Sequence, residues 1–145
     1  MEKTMIQLGE QDYKYVIQDF SNVYVGAQYS YAELAESDDT PSRLKDAVYR
    51  VFYKEVDPQT KIAEHLVQLK DDTMCYLAFS QLRLQVKVTF CVQKQDKKGK
   101  FKEEYETKDY SLDDFLTDNY IREHQDTCLI QEIYFKKRHL MMMHV

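Results

Sequence analysis

The stretch Leu82-Arg83-Leu84-Gln85-Val86-Lys87-Val88-Thr89-Phe90-Cys91-Val92-Gln93 decides the fold. Its even positions are apolar, and its odd positions are polar or small. In a strand successive side chains point to opposite faces, so this run predicts a strand with Leu82, Leu84, Val86, Val88, Phe90 and Val92 on a core. Asp96-Lys97-Lys98-Gly99-Lys100 follows as a hairpin turn, with Gly99 free to take a positive φ. The return strand, 101 to about 108, carries Glu103, Glu104 and Glu106. Such charge suits a sheet edge, where it blocks unwanted pairing.

Downstream, Ser111-Leu112-Asp113-Asp114 resembles a capping box and opens a short helix on Leu112, Phe115 and Leu116. Residues 118–127 are polar and read as a loop. Residues 128 to about 140 read as a last strand. Its apolar residues fall on both faces, as expected of a strand covered on both sides.

Upstream the period changes. Tyr13, Val16, Ile17, Phe20, Tyr24, Ala27, Tyr31 and Leu34 recur at threes and fours, which predicts a helix from Asp12. A strand over 22–31 competes with it, because Val23, Val25, Ala27, Tyr29 and Tyr31 alternate. The helix is preferred on length, with Gly26 at a close helix crossing. Thr40-Pro41 and Asp57-Pro58 are helix starts. They predict a second helix to about Lys54, buried through Leu44, Ala47, Val48, Val51 and Phe52. A third follows, on Ile62, Ala63, Leu66, Val67 and Leu69. Residues 74–80 fit a short helix or the head of a strand equally well. Helices first and strands later predict an α+β fold: N-terminal helices on one face of a small antiparallel sheet, formed mainly by the C-terminal half of a single globular domain, 1–145.

Composition narrows the function classes. The chain has 145 residues, enough to bury a core without disulfide or metal staples. Only 3 Gly and 2 Pro argue against collagen-like and low-complexity segments. A net charge of −5 gives no overall basic bias for duplex binding. Cys75, Cys91 and Cys128 are odd in number and form no CxxC, which reads as a reducing cytoplasm. The start, 1–4, leads into no apolar run, and the longest such run, 74–79, is far short of the roughly 20 residues that cross a bilayer. A cytoplasmic protein with no membrane partner is therefore expected.

The chain is rich in tyrosine, with 12 Tyr and no Trp. Tyrosine joins an apolar ring to a polar tip and suits interfaces. No GxSxG, HExxH, P-loop or GxGxxG pattern is present. Together these favour a non-enzymatic interaction or regulatory module, with a protein partner or a second copy meeting Tyr24, Tyr49 and Tyr53. The alternative is a small-ligand or enzyme domain whose site is assembled from scattered residues, His65, Cys91 and Tyr134 first among them. Lys87 beside Cys91 would lower its pKa, whereas an outer helix would bury it as a small hydrophobe. A third reading, single-stranded nucleic acid on the lysines of the 94–102 hairpin and on Lys136, Lys137 and Arg138, is weakened by Glu103, Glu104 and Glu106. No cofactor or metal is expected. If 139–144 is extended, His139, Met141 and Met143 share a face that soft copper accepts. With no supporting cluster, a packed terminus with Met as gap-filler is preferred. The histidines are expected at surface or helix-edge positions.

Overall fold

The computed structural model describes residues 10–143. A 3-10 turn, Glu10–Tyr13, leads the chain into the sheet. β1 (Val16–Gln18) and β2 (Asn22–Gly26) are antiparallel neighbours. The turn between them is built by Asp19, whose Oδ1 accepts from the amides of Ser21 and Asn22 at 2.8 and 2.7 Å. This corrects the long helix expected from Asp12. Phe20, placed on its buried stripe, is 99% exposed at the turn. Side-chain capture of backbone amides by Asp competes with helix, and here the turn wins. Gly26 does mark a close approach, but to the backbone of Tyr13 and not to a helix.

A helical layer follows. α1 (Tyr31–Glu36) opens on a capping box between Ser30 and Glu33. α2 (Ser42–Ala47) runs through a π-helical stretch, Val48–Phe52, into α3 (Tyr53–Glu55). Thr40 is not the N-cap: its hydroxyl donates to the Leu34 carbonyl at 2.7 Å. α4 (Ile62–Val67) leads through a 3-10 turn, Leu69–Asp71, to α5 (Thr73–Gln81). Residues 74–80 are thus helical. Asp72 settles the choice by capping α5, its carboxylate accepting from the Cys75 amide at 3.1 Å.

Arg83, with φ 51°, then turns the chain into the sheet. Leu82 and Leu84 are buried as expected but precede the strand. β3 (Gln85–Gln95) and β4 (Phe101–Ser111) form the hairpin, paired in register from Gln85↔Ser111 to Gln95↔Phe101. Asp96 Oδ1 accepts from the Lys98 and Lys100 amides, and Gly99 takes φ 81°. α6 (Leu112–Thr117) is capped by Ser111, and its Leu112, Phe115 and Leu116 are buried. The expected loop at 118–127 instead contains α7 (Asn119–Glu123). Asp118 caps it, and Ile121, the one large aliphatic residue there, is 1% exposed. β5 (Cys128–Lys136) is shorter than expected, because the chain turns into α8 (Lys137–Met141).

The sheet order is β1-β2-β5-β3-β4, antiparallel throughout. β5 is central, which explains its two-sided apolar pattern, and the charged β4 lies at an edge as expected. Val23, Val25, Val86, Val88, Ile133 and Phe135 turn to the helices and form one core cluster with Leu34, Phe52, Leu66, Phe79 and Phe115. The fold is α+β, with the sheet mainly in the C-terminal half. No helix of the described residues is long and apolar enough to cross a membrane.

Candidate functional site

The residues singled out from sequence fall in three places. Tyr24 and Tyr134 meet on the sheet face turned away from the helices, with ring centroids 5.8 Å apart. Cys91 shares that face, opposite Tyr105 across the β3–β4 ladder. Tyr49 and Tyr53 pair edge-on at 5.0 Å within the helical layer. His65, on α4 of the same layer, is buried at 3% exposure, which corrects the expected surface or helix-edge position. The fold therefore does not bring His65, Cys91 and Tyr134 to one site.

The outer sheet face is a connected polar and aromatic surface. The Tyr24 hydroxyl donates to Asp19 and the Tyr134 hydroxyl to Asp109, each at 3.2 Å. The Tyr15 hydroxyl donates to Glu132 Oε1 at 2.7 Å. Glu132 Oε2 is buried without a hydrogen-bond donor, while the Lys87 ammonium stands 3.5 Å away. That spacing gives charge compensation but not a hydrogen bond. Burial first, and then the Asp109 carboxylate, push the Tyr134 phenol up to about 12. Ile17 and Tyr105 are more than half exposed on the same face, whereas Leu129 and Thr89 are buried. Burial and the Glu103 charge raise the Cys91 thiol, the reverse of the lysine activation considered from sequence.

The second cluster was missed from sequence. Tyr31 Oη lies 2.5 Å from His65 Nδ1, and His65 Nε2 lies 3.0 Å from Asp72 Oδ2. The arrangement that satisfies every atom has the Tyr31 O–H donating to Nδ1 and Nε2–H donating to the carboxylate. Cys75 adjoins Asp72, and burial followed by that carboxylate keep its thiol protonated. A nucleophilic cysteine needs the opposite environment. One signal was present in the sequence: Ile62, His65, Leu66 and Leu69 share the spacing of a single helix face. Nothing local pointed to Tyr31.

A recess of about 310 Å³ lies between α4, α7 and β5, lined by Gln28, Lys61, Glu64, Gln68, Gln125 and Ile130 among others. Gln28 is fixed there by donating to the Ile130 carbonyl at 3.1 Å. Cys128 also lines it, and burial raises that thiol to about 11. Because the folded value is raised, the folded chain holds this proton more tightly than the unfolded one. Its stabilising contribution is complete below the ordinary thiol range and is lost as pH rises toward 11. Urea unfolding at pH 7 to 10 is expected to lose about 1 kcal/mol from this group by pH 10, with a flatter profile in Cys128→Ala. Identical pH profiles for wild type and Cys128→Ala would contradict this.

The C-terminal segment forms no extended ligand face. His139 and Met141 lie on α8, Met143 is buried, and His144 lies outside the described residues. No family model, no curated protein and no solved structure matches the chain.

Proposed function

We propose that the protein is a non-enzymatic interaction module whose outer sheet face receives a protein partner with a basic surface. The observation that carries this is the Tyr24–Tyr134 pair, with its hydroxyls held by Asp19 and Asp109 on a face that no helix of the described residues covers. Held tyrosines give contact area at little entropic cost, and such residues carry much of the energy of protein interfaces. Charge selects the partner. Asp19, Glu103, Asp109 and Glu132 outnumber Lys87 and Lys136 on this face, so two copies of it repel, whereas a basic partner is attracted. The same acids weigh against nucleic-acid binding, as do the ion pairs of Lys94 with Glu104 and Glu106 beside the hairpin. Neither edge invites strand addition, since β1 is three residues long and β4 is charged.

The test is capture from cell extract on immobilised wild type and on the Tyr24→Ser/Tyr134→Ser double variant, followed by rebinding of each identified protein in pure form. A basic partner is expected that binds the double variant about 10-fold or more weakly and is weakened by salt. A pure partner indifferent to the double variant but lost on Tyr49→Ser would move the contact to the helical layer. Dimerisation through the sheet face would overturn the charge argument.

The recess lined by Gln28, Lys61, Glu64, Gln68 and Gln125 supports a second reading, a small polar ligand held between α4 and β5. Thermal-shift screening separates it from the first, because ligands of the recess leave the Tyr24–Tyr134 face unchanged.

A further inference from the structure

The geometry points to a metal-binding centre at His65, Asp72 and Cys75 that takes one divalent ion of the zinc class. This site is independent of the sheet face. His65 Nδ1 or Nε2, an Asp72 carboxylate oxygen and Cys75 Sγ all lie within 4.8 Å of one another. Bond lengths of about 2.0–2.3 Å place two ligands of a tetrahedral zinc roughly 3.3–3.7 Å apart. His65 Nε2 and Asp72 Oδ2 are 3.0 Å apart, so that pair need open by only a few tenths of an ångström to admit the ion.

Local structure prepares the set. The two oxygens of Asp72 have separate tasks: Oδ1 accepts the Cys75 amide as the cap of α5, and Oδ2 faces His65. Capping therefore holds the carboxylate without consuming the ligand oxygen. α4 supplies the imidazole and α5 the thiol, so an ion here ties two elements of the helical layer together. One side of the cluster is open. His65 and Asp72 border a shallow recess with Glu55, Gln68 and Thr73, which provides an entry path and room for a water as fourth ligand. Imidazole and thiolate select zinc, cobalt or cadmium over magnesium and calcium, which prefer all-oxygen sites.

Proton changes accompany binding. The Cys75 thiol gives its proton to solvent and becomes a thiolate. With the ion on Nε2, the His65 ring carries its proton on Nδ1, which then donates to the Tyr31 oxygen in place of accepting from it. The balance is one proton released per ion bound.

The experiment uses the full chain, stripped with chelator and titrated with Co²⁺ and then Zn²⁺. One equivalent of Co²⁺ is expected to bind with a thiolate-to-cobalt charge-transfer band and release of one proton, and Zn²⁺ is expected to displace it. Cys75→Ala should abolish the band and weaken binding by about 100-fold or more, while Cys91→Ala and Cys128→Ala leave both unchanged. ¹¹³Cd NMR on the wild type reads the single-sulfur ligand set with no variant at all, should Cys75→Ala fail to fold. A folded chain that gives no charge-transfer band at one equivalent overturns the site. So does a band that survives Cys75→Ala, or a cadmium resonance typical of oxygen and nitrogen ligands only.

Discussion

Gly26→Ala is expected to destabilise the protein by about 3–4 kcal/mol, from overpacking plus strained backbone hydrogen bonds. A Cβ at residue 26 would stand 2.2 Å from the Tyr13 carbonyl oxygen, 2.5 Å from its carbon and 3.0 Å from the Lys14 nitrogen. All three are backbone atoms, so no rotamer change relieves the clash. The segment is pinned from both directions: the Gly26 amide donates to the Tyr15 carbonyl at 2.9 Å, and the Gln28 amide donates to the Tyr13 carbonyl at 3.1 Å. Moving Tyr13 away to admit a methyl group lengthens both bonds. Tyr15 follows, and with it the hydrogen bond to Glu132 on the outer face. Urea unfolding reads the effect as a lower midpoint at unchanged slope. An unfolding free energy within about 0.5 kcal/mol of wild type would mean that the Tyr13 segment detaches at no cost.

Phe52→Ala is the second large effect, with an expected loss of about 3–5 kcal/mol. Phe52 is 1% exposed, and its ring stacks on Tyr31 at 4.9 Å and on Phe79 at 4.8 Å. It thus joins α1, α5 and the π-helical stretch in one aromatic column. Truncation removes the buried ring and leaves a cavity that three elements cannot close together, because packed helices relax only in part. Tyr31 loses its stacking partner while its hydroxyl still holds His65, so the damage reaches the His65 cluster. Phe52→Leu keeps most of the volume and should recover more than half of the loss. If urea unfolding shows both variants losing the same amount, the aromatic column contributes through its rings specifically and the cavity argument fails.

The contrast between the legible and illegible parts of the fold follows from sequence distance. Period-two alternation made β3 readable because a half-buried strand imposes that pattern on adjacent residues. Gly99 and Ser111 were readable because turns and caps are chemistry between near neighbours, whereas the helix start expected at Asp57-Pro58 is corrected: Asp57 builds a turn by accepting from the Gln59 amide at 2.8 Å, and α4 begins at Ile62 after Lys61. The opening segment was misread because two short strands around a turn happen to place apolar residues at threes and fours. Val23 and Val25 are core residues only through pairing with Phe135 and Ile133 on β5, far along the chain. α7 was missed because five residues bury only Ile121, too little to mark a period.

The candidate sites divide in the same way. Asp72 caps α5 through a neighbour three residues on, and the helix face of His65 was present in its spacing. Its junction with Tyr31 spans 34 residues and exists only once α1 packs beside α4. The Tyr15–Glu132 bond spans 117 residues, and Tyr24 meets Tyr134 only because β5 inserts between β2 and β3. Local covalent spacing thus determined the α+β class, the hairpin and the Ser111 helix cap, because those depend on interactions within a few residues. Which tyrosines share a face, and which histidine meets a carboxylate and a thiol, was decided by the tertiary structure, because strand order and helix packing are set by burial summed over the whole chain.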